Sequence, residues 1–172
     1  MITHAQVLEL FRYEAETGLL IWRVGKKVGQ IAGRLQPARK FSTRSGMSLP
    51  YWQISVLGKT YFRAKLVWFY VTGEWPNEID HRDTDSLNDR WGNLREATRQ
   101  QNNANRRVFR NNQTGCKGVH IRPCAKDRIK YRAMISIDGK NRSLGDFADI
   151  ESARSAYETA ASEAFGEFFR AA

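Results

Sequence analysis

The sequence predicts an α+β protein in two parts, and three observations predict it. Short strand-like runs alternate with four helical stretches along the whole chain. The run Asn111-Asn112-Gln113-Thr114-Gly115 is a natural break. Beyond it the pattern changes to three strands followed by one long amphipathic stretch, which describes a small antiparallel sheet packed on a helix. With 172 residues, 41% of them hydrophobic, the chain can form one ordinary domain or two small ones. A piece below about 70 residues would be marginal alone.

The elements follow in order. Residues 3–12 form a short helix, with Thr3 as N-cap and Val7, Leu8 and Phe11 on one face. Thr17-Gly18 turns into a strand, Leu19 to Arg23. Residues 24–50 are rich in Gly, Lys, Arg and Ser and read as loop or weak strand. Tyr51 to Val56 and Thr60 to Arg63 make a hairpin around Leu57-Gly58-Lys59. Ala64 to Val71 is an apolar helix stopped by Gly73 and Pro76. Glu78-Ile79-Asp80 is a short strand, Asn93-Leu94 a second one, and a basic helix runs from about Thr98 to Arg110. In the last part, Gly118 to Arg122, Tyr131 to Ile137 and Arg142 to Phe147 are strands. Asp138-Gly139 is a hairpin turn between the latter two, and Ile150 to Phe165 is the amphipathic helix.

Charge narrows the function. The net charge of +10 favours a polyanionic partner. Residues 80–94 run against that trend, with 2 Lys/Arg against 4 acids, whereas residues 117–142 carry 8 against 2. An acidic stretch between basic ones fits a cation site flanked by phosphate-binding surfaces. Cys116 and Cys124, the only cysteines, make no CxxC pair, so a structural zinc site is not expected and a reduced, cytoplasmic chain is the simplest reading. The N-terminus has no long apolar core, so no signal peptide is expected, and the longest apolar run, Leu66 to Val71, is too short to span a membrane.

The stretch Glu78 to Asn103, EIDHRDTDSLNDRWGNLREATRQQNN, carries the chemistry. Asp80-His81 ends an apolar step, Asn93-Leu94 follows 12 to 13 residues after His81, and Asn102 comes 9 residues after Asn93. Acid, imidazole and amide at these intervals can hold one hard metal ion beside a general base. A carboxylate, an amide oxygen and water suit Mg²⁺, with Mn²⁺ as a substitute, better than zinc. A histidine accepts a proton from water near neutral pH. Taken singly, Asp80 also reads as a turn residue, His81 as a surface loop residue and Asn102 as a solvated helix position. Asn103 or Asn105 replaces Asn102 if the helix phase differs.

The spacing of Asp80-His81, Asn88, Asn93-Leu94 and Asn102 resembles the HNH (ββα-metal) nucleases, in the phage and intron-encoded branch where the final His is Asn. The FRYEAETGLLIW opening and VTGEWP before the motif are similar to the leader of such phage proteins, so the resemblance covers roughly residues 1–110. It implies a nuclease domain over 1–110 with a ββα core at about 77–110. His81 would be the general base, Asp80 and Asn102 the metal ligands, and Asn93 the bridge that orients the base. Asn88 shapes the turn. Arg106, one helical turn past Asn102, stands where histidine-rich relatives carry a further ligand, and would hold a phosphate. Hydrolysis would be metal-assisted, with His81 deprotonating the attacking water. One departure is Ala64-Lys65, where members often carry His-Arg.

Residues 115–170 resemble the Apetala/ethylene-response-factor DNA-binding domain, on Gly118-Val119-His120-Ile121-Arg122, Tyr131-Arg132-Ala133-Met134-Ile135, Leu144-Gly145-Asp146-Phe147 and Ala153 through Gly166. With the linker placed at 111–116, the resemblance implies, over 117–172, a three-stranded antiparallel sheet packed on one helix and lying in the DNA major groove. The expected DNA contacts are Arg122, Arg128, Lys130, Arg132, Lys140 and Arg142, with Arg99, Arg107 and Arg110 on the basic helix. A solvated basic face is the plain alternative. Tyr131 stands where that family commonly has Trp. His120 reads as a strand residue, and Trp22, Trp52, Trp68, Trp75 and Trp91 read as core.

The expectation is therefore a Mg²⁺-dependent DNA endonuclease acting on double-stranded DNA as monomer or homodimer, phage-encoded or mobile, in the cytoplasm of a bacterial host. A non-catalytic DNA-binding regulator with a decayed nuclease domain is the rival, and RNA cleavage a third reading.

Overall fold

The computed structural model describes residues 2–39, 49–108, 111–124 and 129–171. It is a mixed α/β structure of small antiparallel sheets and few helices, in two compact units, Met1–Thr98 and Arg99–Ala172. The division falls before the helix that the sequence places with Asp80 and His81.

The first unit begins with α1 (His4–Leu10), capped by Thr3 and Gln6 in a reciprocal capping box. The helix stops at Leu10 rather than continuing to Arg12. Phe11 turns extended because β1 (Phe11–Glu14) pairs with β2 (Leu19–Trp22) in register Phe11↔Trp22. Helical periodicity and strand alternation overlap in so short a segment, and the hairpin pairing decides between them. A second sheet has the order β3 (Arg34–Gln36), β4 (Tyr51–Val56), β5 (Lys59–Phe62). Its β4–β5 hairpin closes over Leu57 and Gly58, both at positive φ (49° and 72°), as a tight primed turn requires. Helix α2 (Arg63–Thr72) ends on Gly73 in the left-handed conformation. Strands β6 (Glu78–His81) and β7 (Leu94–Ala97) form the last sheet of this unit, antiparallel, with His81 opposite Leu94 and Asp80 opposite Arg95.

One core joins these pieces. Val7, Phe11, Leu20, Ile54, Leu66, Val67 and Leu94 are buried together, and Trp22, Trp68, Trp75 and Trp91 pack against them. Four of the five tryptophans are thus core-packed as expected. Trp52 lies instead under the Arg63 guanidinium, 4.6 Å from its ring centroid.

The second unit holds α3 (Arg99–Asn105), the sheet β8 (Val119–Pro123), β9 (Ile129–Ile137), β10 (Lys140–Phe147), and α4 (Ile150–Phe165). β9 is central and all pairing is antiparallel. Asp138 and Gly139, at φ 51° and 74°, make the expected hairpin turn. The Asp149 side chain caps α4 by accepting from Ser152 N at 2.7 Å. Ala153, Ala161 and Phe165 of α4 bury against Ala133 and Ile135 of β9, while Ala104 seats α3 in the same unit. Small residues let the helix come close. At Gly118 (φ 65°) a Cβ would lie 2.1 Å from the Tyr157 ring.

Residues 111–116 are not an open tether. Asn112 Oδ1 accepts from Thr114 N, Asn112 Nδ2 donates to Cys116 O, and Thr114 Oγ1 donates to Val119 O. Cys116 is buried in the core of the second unit. The polar Asn-rich composition that reads as a linker is spent on these turn bonds.

Candidate active site

His81 is the last residue of β6, and the chain leaves the sheet there. Arg82 N donates to Asn93 O at 2.9 Å and Thr84 N to His81 O at 2.8 Å, with Thr84 at positive φ. The loop that follows is tied down by its own acids and amides. Asp83 is the hub. Its Oδ2 accepts from Asn88 Nδ2 at 2.6 Å, and its Oδ1 accepts from Asn93 Nδ2 at 3.0 Å and from Asp85 N at 2.8 Å. Burial alone would raise its carboxyl pKa, but the bonds from Asn88, the Asp85 backbone and Asn93, with His81 nearby, outweigh it and lower the pKa. Asn93 Oδ1 accepts from Asp83 N at 3.1 Å, and Asn93 Nδ2 also donates to Asn88 O at 2.7 Å. Asn93 thus sits in a 3₁₀ turn (Trp91–Asn93) just before β7 and clamps the residues after His81. Its side-chain amide ties the loop together and does not itself present an acid or base. Asn88 bonds within the loop, where the sequence put it.

The His81 ring lies against a residue that the sequence analysis did not single out. His81 Nε2 is 2.9 Å from Asp89 Oδ1. The other oxygen of Asp89 accepts from Arg63 Nε at 2.6 Å, and both Arg63 and Asp89 are almost fully buried. Arg63 Nη2 donates to Leu87 O. Its Nη1 is buried without a hydrogen-bond partner and belongs to the guanidinium face over Trp52. A carboxylate can only accept, so the nitrogen facing it carries the proton.

The N-terminal hairpin holds Asp89 from the other side. Tyr13 Oη donates to Asp89 O at 2.9 Å, and Arg90 Nε to Glu16 O at 2.6 Å. Burial, with the Asp89 charge beside it, pushes the Tyr13 hydroxyl up to about 12. Gly18, at φ 74°, passes so close that a Cβ would lie 2.5 Å from Arg90 N. The leader segment therefore builds the floor of the site. Only the presence of an acid in an Asn-Asp-Arg loop and an Arg opening an apolar helix could have signalled Asp89 and Arg63 in the sequence.

Asp80 is also buried, at 3% exposure. Arg95, its cross-strand neighbour, donates to Asp80 Oδ2 from Nε at 2.8 Å. A carboxylate has about four acceptor positions, so the Arg95 bond is compatible with a cation as a further partner. The oxygen donors of Asp80 and of an asparagine amide fit Mg²⁺ or Mn²⁺ in kind. Among the described residues no three His, Cys, Asp or Glu side chains converge as a metal group. The expected pair of one carboxylate and one amide is not of that composition.

The remaining expected residues lie in the second unit. Asn102 is half-buried on α3, Asn103 is exposed and Asn105 is buried. The helix ends at Asn105, short of the expected Arg110. Arg106 and Arg107 follow its last turn, where Arg106 N bonds Asn103 O, so Arg106 is not part of a continuing helical face. Arg99 opens α3 and, like Arg106 and Arg107, is exposed. Arg110 and Arg128 lie outside the described residues.

On the sheet, alternation sorts the cations. His120, Arg122, Lys130 and Arg132 share the face away from α4, while Val119, Ala133 and Ile135 face it. Asp146 joins the outer face opposite Arg132 and binds two of its arginines. Arg132 donates to it from Nε at 2.7 Å and Nη2 at 3.0 Å, and Arg122 from Nη1. The Arg132 bond and the Arg122 charge hold the Asp146 carboxyl down at about 2. Lys140 and Arg142 are exposed but pair with Ile137 and Ile135, because the register shifts between Ser143 and Gly145. They stand on the opposite parity from Arg132. Tyr131, where the resembling family commonly has Trp, is half-buried and packs against the cluster of Val119 and Ala133 on the side facing α4.

No solved structure matches the chain. No helix among the described residues is long and apolar enough to cross a membrane. An uncharacterised HNH endonuclease of Acanthamoeba polyphaga mimivirus is 32% identical over 114 residues, which cover 65% of this chain and 57% of the relative. The chain thus spans little more than half of that relative's length. Residues 62–104, a quarter of the chain that includes Arg63, Asp80, His81, Asp89 and Asn93, match the HNH endonuclease family.

Proposed function

We propose that this chain is a metal-dependent endonuclease that hydrolyses phosphodiester bonds in double-stranded DNA, with His81 as general base. The observation that carries the reading is the fixed imidazole. His81 ends a strand, its neighbours are clamped by Asn93 and Asp83, and its ring is held by a buried carboxylate within the segment that matches the HNH endonuclease family. A base held in one geometry lowers the cost of ordering the attacking water. General-base catalysis contributes about 10²–10⁴-fold.

Asp80 and Asn102 are proposed to supply oxygen ligands to Mg²⁺ or Mn²⁺, with Asn103 or Asn105 as substitutes for Asn102. A bound divalent ion would stabilise charge on the scissile phosphate and on the leaving oxygen. Arg106 is proposed to neutralise a neighbouring phosphate. The chain's own part is to orient water through His81 and to exclude alternative ring positions through Asp89 and Asn93.

The outer face of β8–β10 is proposed as a DNA-recognition surface of the Apetala/ethylene-response-factor type. Its support is the antiparallel order with β9 central, the α4 packing, and the alternation that collects His120, Arg122, Lys130 and Arg132 on one side. Arg99, Arg107, Lys140 and Arg142 would add phosphate contacts from outside that face. The protein is proposed to act in the cytoplasm of a bacterial host, as monomer or homodimer.

The test is cleavage of supercoiled plasmid and linear DNA with Mg²⁺, Mn²⁺ or EDTA. Nicked or linear product with either ion and none with EDTA supports the reading. Intact DNA in every condition, together with retarded DNA in a gel, would favour a non-catalytic DNA-binding regulator.

A further inference from the structure

Asp89 stands apart from the residues of the spacing motif and is bonded on both carboxylate oxygens. It lies eight residues beyond His81, is 1% exposed, and divides its two oxygens between two different partners. Oδ2 receives Arg63 Nε and Oδ1 faces His81 Nε2. From this division we infer that Asp89 is a positioning residue, which together with Arg63 fixes the His81 ring in the Nε2–H tautomer and makes Nδ1 the proton-accepting nitrogen. The inference rests on His81 being the base.

The logic is one of donors and acceptors. Neutral imidazole has one N–H and one lone pair, and its partner selects which nitrogen carries which. Asp89 has no proton to give, so Nε2 must donate. Arg63 is a permanent donor, so the oxygen beside it must stay an acceptor. The backbone carbonyl of Asp89 is held by Tyr13, and the preceding Asn88 is held by Asp83 and Asn93. The backbone that carries the carboxylate is therefore fixed, and the carboxylate cannot turn without breaking its bonds to Arg63 and His81.

Asp89→Asn separates this role from mere packing. Arg63 Nε would claim the amide oxygen, since it cannot accept. The amide NH₂ would then face His81 Nε2, which must become the acceptor, and the ring proton would move to Nδ1. Shape is kept while the base nitrogen is blocked. The equivalent isosteric change in the Ser-His-Asp triad acts by the same reversal.

The experiment records long-range ¹H–¹⁵N spectra of full-length protein labelled in histidine, at a pH where the rings are neutral. The chain has three histidines, and a His81→Gln spectrum assigns the His81 signals. The expected result is an Nε2–H ring in wild type and an Nδ1–H ring in Asp89→Asn. The turnover rate should fall by about 10²–10⁴-fold with KM little changed. In the double variant Arg63→Met/Asp89→Asn no guanidinium dictates the amide's orientation, so an Nε2–H population should return. An Nδ1–H ring in wild type overturns the inference whether or not any variant folds. An unchanged tautomer in folded Asp89→Asn also overturns it. If the tautomer reverses as expected but wild type cuts no DNA, the positioning role stands and the nuclease reading falls.

Discussion

The two units each pair a carboxylate with arginine, and they use the pairing in opposite ways. In Met1–Thr98, Arg63 and Asp89 are each only 2% exposed at their side chains, and the pair holds a histidine. In Arg99–Ala172, Asp146 binds Arg122 and Arg132 on a sheet face, where the side chains are 23%, 48% and 34% exposed. A dry ion pair is costly to assemble and very costly to break, so it fixes a geometry. A wet pair contributes little stability, and its charges stay available to a passing polyanion. The first arrangement would suit the proposed catalytic base, the second the proposed DNA-binding surface.

The contrast can be broken most severely at Arg63. Arg63→Met would leave the Asp89 carboxylate buried without its guanidinium partner and should cost about 3–5 kcal/mol. Chemical denaturation followed by tryptophan fluorescence would read this, because all five tryptophans lie in Met1–Thr98. Arg132→Met should cost far less, because the pair it breaks is screened by solvent, as seen by hydrogen exchange in β9. Equal costs would erase the distinction between the two pairs.

The next effect concerns the floor of the site. Gly18→Ala places a Cβ against the Asp89–Arg90 backbone at a left-handed position. The conformation alone costs about 1–2 kcal/mol, and the contact adds to it. The variant should lose DNA cleavage more than DNA affinity, since the displaced segment carries Asp89 and not the basic sheet.

On the sheet, Arg132→Ala should weaken DNA binding and reduce the salt slope of log K by about 1 if Arg132 meets phosphate. Gel retardation across a salt series measures this. Asp146 supplies the smallest effect. Its carboxyl is held at about 2 by Arg132 and Arg122, below the unfolded value of about 3.9. The stabilisation is present above pH 4 and is lost as pH falls through 2. Asp146→Asn should remove that acid-limb loss, visible as a flatter Tm-against-pH curve between pH 4 and pH 2.

Local rules made much of the fold legible. Thr3, Leu57-Gly58, Gly73, Asp138-Gly139 and the α4 stripe each mark their elements by capping or turn chemistry that acts over a few residues. β1 was not legible, since Phe11 continues the helical spacing of Val7 and Leu8 and only pairing with Trp22 draws it into a strand. The end of α3 at Asn105 was missed because a basic run has no stop signal of its own. In the proposed site, Asp80, His81 and Asn93 stand out by spacing along one hairpin. Asp89 could not, because its role depends on Arg63, separated by 26 positions and on another element. Asp146 was hidden similarly, since a lone acid on a basic strand gains meaning only from the register that sets it opposite Arg132.

The central claim is that His81 acts on the scissile phosphate's attacking water and does not hold the fold or the DNA. It is tested most directly by comparing nicking of supercoiled plasmid by wild type and His81→Ala in Mg²⁺, with DNA affinity and Tm measured on the same samples. The account predicts a loss of cleavage of about 10²-fold or more with affinity and Tm nearly unchanged. Undiminished cleavage by His81→Ala, or a loss of cleavage that only follows a loss of folding, would contradict it.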